Sequence, residues 1–303
     1  MFPGLIVGNF FCPYLHAMDQ FIFNGKYFKE GEAVIGPSNR GLRYGDGLFE
    51  TMKCENGTLI RQKKHFERLW KGMQLLQFNI PVHFTTALLE EMILELCKKN
   101  GHEKLGRVRL TVFRGDGGLY DPDDDVPNFI IQTWELSSAQ VQWNENGLVL
   151  GIYEAVKKGT DILSNLKHNN FLPYAVAALY AKKQKWNDAI LLNNSERICD
   201  STIANVFLIK GNKISTPALS EGCIAGVTRQ FIIDSLRGKV YSVEESSISI
   251  AELLGADEVF LCNSIFDMRW VQCIGDTTYS NHFSQTIYSE LFSTIAKTPS
   301  SKN

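Results

Sequence analysis

The order of apolar runs in the second half of the chain constrains the fold more than any other feature. A strand pattern, LVLGIYEA, is followed by one helical run, FLPYAVAALYAKK, and then by the strand AILLNN and the hairpin pattern ANVFLIKGNKIST. The helix VTRQFIIDSL, a short helix ISIAELL, the strand EVFLCN and a last helix YSELFSTIA complete it. So many strands with so few helices exclude a βαβ repeat and a TIM barrel.

The first half reads differently. FIFNGKYF alternates around Asn24-Gly25, the cue for a tight hairpin. HFERLWKGMQLL and TTALLEEMILELCKK carry apolar residues at helical spacing, separated by Asn79-Ile80-Pro81. VRLTVF and NFIIQTW read as strands joined by the polar turn RGDGGLYDPDDD. The expected architecture is α+β in two lobes: a small α+β domain over 1–135, a polar linker over 136–141, and a larger β-rich domain over 142–303.

A net charge of −2 gives no electrostatic footprint for nucleic acid, so a small-molecule substrate is expected rather than a polymer. The opening MFPGLIVGNFFCPYLHAM is apolar, but it has no basic start and no small-x-small cleavage site. It reads as an irregular first strand or arm of a cytoplasmic protein. No run approaches the roughly 18 apolar residues of a membrane span. Seven scattered cysteines without C-x-x-C read as small hydrophobes in a reducing compartment. DPDDD lacks the spacing of a calcium loop, and no metal is expected.

Within SNLKHNNFL, Lys167 lies beside Leu166 and a turn before Phe171 and Leu172, which allows a desolvated position. A free lysine has a pKa of about 10.4, so only about one in two thousand is neutral at pH 7. Burial lowers that value and readies the amine for covalent work on a carbonyl. About thirty residues on, RICDSTIANVFLIKGN sets Asp200 between a turn and a strand, where its carboxylate could pair with a pyridinium nitrogen. Taken singly, Asp200 reads first as a turn residue or helix cap and Lys167 as a surface charge. A phosphate needs helix-start amides or a basic side chain. GCIAGVTRQFII offers Val227 and Thr228, HFERL offers Arg68, and LCNS offers Asn263 and Ser264 at a strand end. No G-x-x-x-x-G-K-[ST] and no G-x-G-x-x-G occur, against a mononucleotide loop or a Rossmann cradle.

RGLRYGDGLFETM, HFERL, NLKHNNFL, DAILLNNSERICDSTIANVFLIKGN, STPAL, AGVTRQF and ADEVFLCNS stand in an order and at spacings that resemble the fold-type IV pyridoxal-phosphate enzymes. That family is the class IV aminotransferases, and the resemblance runs from about Phe21 to Gly275. It implies pyridoxal 5'-phosphate as cofactor, Lys167 as the lysine joined to it, and Arg68, Val227 and Thr228 around its phosphate. It also implies Asp200 against the ring, substrate contacts from Tyr44, Phe49 and Arg109, a small amine substrate, and a homodimer. One departure stands out: the family pattern has glutamate where ICDSTIAN has Asp200, one methylene or about 1.5 Å shorter.

Within the family, the lysine-to-asparagine spacing in KHNNFL, the stretch LCNS and the RGDGG turn resemble the aminodeoxychorismate lyase branch, which releases pyruvate and 4-aminobenzoate. Glu50 in LFET is common among the transaminases, leaving an aminotransferase of branched-chain or D-amino acids as the alternative. Two remoter readings remain. Ser164 and Lys167 match S-x-x-K of serine acyl enzymes, although S-D-N and K-T-G are missing. The scaffold could also serve a cofactor-free binding protein.

Overall fold

The computed structural model describes residues 20–292. The expected N-terminal arm and the end of YSELFSTIA lie outside them. Asn24 and Gly25 both take positive φ, 48° and 78°, as a two-residue type I′ turn requires. Strand β1 (Phe21–Phe23) therefore folds back on β2 (Lys26–Phe28). A short helix α1 (Arg40–Tyr44) precedes β3 (Gly47–Glu55) and β4 (Thr58–Leu59). Helices α2 (Gln62–Leu75) and α3 (Thr86–Lys99) follow, then β5 (Leu105–Arg114) and β6 (Pro127–Glu135). Thr85 caps α3 by accepting from the Leu88 amide, and Lys98 and Lys99 sit in its last turn, opposite in sign to the dipole there.

These six strands form one antiparallel sheet in the order β2-β1-β6-β5-β3-β4. Phe66, Leu69 and Met73 of α2 and Leu89, Ile93 and Leu96 of α3, spaced three to four apart, bury against it. The nine-residue β3 differs from the sequence reading, which has no strand there. GLFETMKCE is buried on both faces and so lacks alternation, and it carries two buried charged residues, Glu50 and Lys53.

Between the sheets lies α4 (Ser138–Val141), closed by a Ser137/Gln140 capping box. The second half runs β7 (Leu148–Lys158), α5 (Leu172–Gln184), β8 (Asp188–Asn193), β9 (Ile198–Ser201), β10 (Asn205–Lys210) and β11 (Lys213–Pro217). It continues with α6 (Val227–Leu236), β12 (Ser242–Ser246), α7 (Ile250–Leu254), β13 (Glu258–Asn263), β14 (Asp267–Ile274), β15 (Thr277–Thr278) and α8 (His282–Phe292). The order is β12-β11-β10-β13-β14-β7-β8-β9, and β9 returns to β10 through the single pair Asp200 and Asn205. Six strands thus close into a ring, and the closure point carries the acid singled out in the sequence. Gly151 lets β7 pass under Trp186, because a Cβ there would stand 2.1 Å from the indole.

Candidate active site

A cavity of about 1000 Å³ opens where the two sheets meet. Lys167 enters it from the segment between β7 and α5, but its backbone is held by the first sheet. The Phe49 amide donates to the Lys167 carbonyl at 2.8 Å, and the Asn169 amide to the Gly47 carbonyl at 2.9 Å. Leu166 sinks into the first sheet's core. Gly47 is needed for this approach, since a Cβ there would meet the Val112 carbonyl at 2.3 Å and the Asn169 side chain at 2.7 Å. The lysine is thereby fixed between two sheets that are distant in sequence.

Its amine lies over the rings of Phe49 (4.5 Å) and Phe171 (5.4 Å) and forms no ion pair among the described residues. Burial first, then the nearby Arg68 charge, bring its pKa down to about 7. The desolvated position expected from SNLKHNNFL agrees with that direction, although Leu172 takes no part and is exposed. His168 beside it bridges to Leu48 through the backbone, and burial keeps its imidazole below the ordinary value.

Asp200 lines the cavity at the ring closure and is buried. Its Oδ2 accepts from Tyr174 Oη (2.8 Å), the Ile224 amide (3.0 Å) and Lys158 Nζ (3.1 Å), while Oδ1 accepts from Asn205 Nδ2 (2.8 Å). Lys158 also donates to the Gly222 carbonyl. A carboxylate has about four lone-pair positions, so Oδ1, with one donor, keeps capacity for another. Gly226 is required beside it: a Cβ there would stand 1.9 Å from Asn205 Oδ1.

Arg68 also lines the cavity, held from behind. Its Nε and Nη2 donate to Glu50 Oε1 (2.8 Å) and Oε2 (2.5 Å), and Nη1 to the Ala225 carbonyl (2.9 Å). Two of its five N–H donors remain for the cavity. His65 Nδ1 lies 2.7 Å from Glu50 Oε2. Burial alone would raise the Glu50 pKa, but Arg68 and His65 hold it down to about 2.

At the start of α6, Val227 and Thr228 line the cavity with first-turn amides that have no intrahelical partner. The Thr228 hydroxyl is buried and has no hydrogen-bond partner among the described residues. Ser264 and Asn263 border the same space, but the Asn263 side chain is engaged in its own turn. Its Oδ1 accepts from the Ile265 and Phe266 amides, and its Nδ2 donates to the Ile203 carbonyl.

On the opposite wall, Phe49 stacks edge-on with Phe171 (5.2 Å) and lies under the Arg109 guanidinium at 3.8 Å. Tyr44 is the exception among the expected substrate contacts, since it lies outside the lining of this chain's cavity. Helix α1 packs on β5 and leaves the Tyr44 ring beside Arg40 and Arg43 (5.2 and 5.0 Å). Ser164 is likewise not a partner of Lys167. Its hydroxyl donates to Asp161 at 3.0 Å and does not line the cavity, so the serine acyl reading falls. Lys158, Tyr174, Asn205 and Glu50 have roles in the site that no local pattern announces. Only the KK of VKKGT before the lysine, and the TIAN after Asp200, lay close enough to prompt a search.

The sequence profile of amino-transferase class IV matches residues 47–274. The aminodeoxychorismate lyase of Vibrio harveyi is 31% identical over 238 residues, covering 78% of this chain and 86% of that protein. The aminodeoxychorismate lyase of Bacillus subtilis (strain 168) is 30% identical over 266 residues, covering 85% and 87%. The crystal structure of 4-amino-4-deoxychorismate lyase from Pseudomonas aeruginosa superposes with a TM-score of 0.75 at 26% identity, over 89% of this chain and 97% of that one.

Proposed function

The chain belongs to the class IV amino-transferases, a family of pyridoxal-phosphate-dependent enzymes, and from that premise we propose that it is an aminodeoxychorismate lyase releasing pyruvate and 4-aminobenzoate. The observation that carries the catalytic half of this reading is Lys167: a half-buried lysine whose pKa is brought down to about 7, at the meeting of the two sheets. Two relatives that are aminodeoxychorismate lyases, 31% and 30% identical, support the lyase half.

The residues fit pyridoxal phosphate. The orphaned Thr228 hydroxyl and the open amides of Val227 and Thr228 suit a phosphate at a helix start, with Arg68 and Ser264 beside it. Asp200 Oδ1 is the oxygen with room for a ring N–H donor. Asn263 would act by shaping the turn that presents Ser264. When bound, the cofactor supplies an aldehyde that condenses with amines and a ring that withdraws electrons from the adjoining carbon.

Phe49 and Phe171 exclude water from the Lys167 amine and keep it neutral enough to act as a base. Lys167 Nζ takes the proton from the amine-bearing ring carbon of the substrate. The neighbouring ring C–O bond breaks with its electron pair leaving on the enolpyruvate oxygen, which makes the remaining ring aromatic, and Lys167 returns the proton to the methylene carbon of the enolpyruvate to give pyruvate. Arg109 holds a substrate carboxylate on the opposite wall. The donors around Asp200 keep its carboxylate in place through these steps.

A cytoplasmic homodimer, with the chain divided near 136–141, belongs to the same reading. Among the described residues, no helix is long and apolar enough to cross a membrane. The product assay tests the function. Holoenzyme given aminodeoxychorismate forms pyruvate and 4-aminobenzoate in equal amounts, and Lys167→Ala lowers the rate at least about 10²- to 10⁴-fold and abolishes the yellow band that borohydride removes. Keto acids formed from L- or D-amino acids, with no 4-aminobenzoate, point instead to a transaminase.

A further inference from the structure

Beyond Arg109, two more arginines enter the cavity, one from each sheet. Arg107 stands two residues before Arg109 on β5, on the same face of the strand. Arg269 comes from β14, two residues after Asp267, whose carboxylate bridges the sheets by pairing with Lys53 of β3 and with Arg61. Each guanidinium lies on an aromatic face: Arg107 on Trp134 (5.1 Å), Arg109 on Phe49 (3.8 Å) and Arg269 on Phe266 (4.9 Å).

Their N–H edges are largely unused. Arg107 donates no hydrogen bond to the described residues, and its Nε is buried. Among the described residues, Arg269 gives only Nη2 to the Gln140 carbonyl (3.0 Å), and its Nε is also buried without a partner. Arg109 gives the described residues only Nε, to the Thr111 hydroxyl at 3.2 Å. None of the three forms an ion pair among the described residues. Of the two acidic residues lining the cavity, Asp200 is committed to Lys158, and Glu135 is exposed and pairs with none of them. Burial pulls all three guanidinium pKa values down, for Arg109 to about 10. One carboxylate satisfies one arginine fork bidentately, so a substrate with a single carboxylate leaves two half-buried cations without counter-charge.

We propose that Arg107 and Arg269 form a second carboxylate subsite, separate from Arg109, and that the substrate is therefore an amine bearing at least two carboxylates. This rests on the lyase reading for the position of the reacting amine at Lys167, but not for the subsite itself. The aromatic platforms fix the planes of the guanidinium groups before the substrate arrives, so little side-chain order remains to be imposed on binding. The Lys53–Asp267–Arg61 cluster sets the span of the subsite by tying β3 to β14.

Isophthalate and benzoate, which differ by one carboxylate, are titrated calorimetrically into wild-type holoenzyme and into Arg107→Gln, Arg107→Lys and Arg269→Gln. Isophthalate is expected to bind wild type at least about tenfold more tightly, and each Gln variant to lose about ten- to a hundredfold of that affinity. Benzoate should stay within about twofold, the size of change that leaves an ordinary contact intact, which also shows that the variants are folded. Arg107→Lys should keep part of the isophthalate affinity. Equal losses for both probes, or no loss in either Gln variant, overturn the subsite. Pyruvate release from aminodeoxychorismate by the same wild-type sample reports separately on the lyase reading: isophthalate selectivity without pyruvate keeps the subsite and removes the lyase.

Discussion

Glu50 and Asp200 are both buried carboxylates beside the same cavity, yet they are used in opposite ways. Glu50 turns away from it and spends both oxygens on Arg68 and His65, so that what reaches the cavity is the arginine. Asp200 turns toward it and is itself the group presented, with Lys158, Tyr174, Asn205 and a backbone amide behind it. The difference comes from the neighbours. Helix α2 offers His65 and Arg68 three residues apart on one face, whereas the ring closure offers donors from four separate segments.

The largest test of that contrast is Asp200→Asn. Lys158 is buried, and among the described residues its only carboxylate partner is Asp200, so the variant leaves an ammonium without counter-charge. A loss of about 3–5 kcal/mol in unfolding free energy is expected from denaturant titration. Glu50→Gln should be milder, about 1.5–3 kcal/mol, because Arg68 keeps the Ala225 carbonyl and partial access to the cavity. Its pH dependence has a definite sign. The folded Glu50 pKa of about 2 lies below the ordinary 4.5, so its stabilising contribution is complete above 4.5 and is lost as pH falls toward 2. The gap between wild type and Glu50→Gln should therefore narrow over that window. A constant gap would mean that the Arg68 pairing contributes nothing through charge.

Asp200→Glu restores the family's residue and should nonetheless destabilise, by about 1–3 kcal/mol. Three donors converge on Oδ2 within 2.8–3.1 Å, and one extra methylene cannot be accommodated without breaking one of them. Unchanged stability would show that the network is looser than its distances suggest. The shorter acid, a departure from the family pattern in the sequence, is matched by Lys158 and Tyr174, which both reach its Oδ2.

That match also shows what was legible in the chain and what was not. Asn24-Gly25 encodes its own turn, and FLPYAVAALYAKK its own helix, because the deciding interactions lie within a few residues. Lys167, Arg68, Asp200 and Thr228 could be picked out by residue type and order, and the cavity gathers all four. Strand β3 could not be read, because Glu50 and Lys53 are tolerated inside it only through Arg68 and through Asp267, more than two hundred residues away. Lys158 was equally silent: nothing near VKKGT indicates that one lysine of the pair is buried against an aspartate 42 residues on. Tyr44 stands apart from the four that the cavity gathers: its motif is intact, while α1 sets its ring beside Arg40 and Arg43, outside the lining of this chain's cavity.

The smallest expected effect sharpens the comparison most, because both carboxylates act on one amine. Glu50 and Asp200 each raise the Lys167 pKa, Glu50 the more strongly, against burial and the charges of Arg68 and Arg109 that lower it to about 7. The lowered value means that the amine is protonated below pH 7 and neutral above it, so capture of pyridoxal phosphate by the apoenzyme should accelerate through pH 7. Stopped-flow absorbance should show about a tenfold rise between pH 6 and pH 8 and a plateau beyond, whereas an ordinary lysine would climb throughout that range and past it. Removing the Glu50 charge in Glu50→Gln should move the midpoint below 7, and Arg109→Gln should move it above. Asp200→Asn should shift it down less than Glu50→Gln does. If the two carboxylate variants reversed that order, the carboxylate presented to the cavity would be the one governing the lysine, and the division of labour between them would fail.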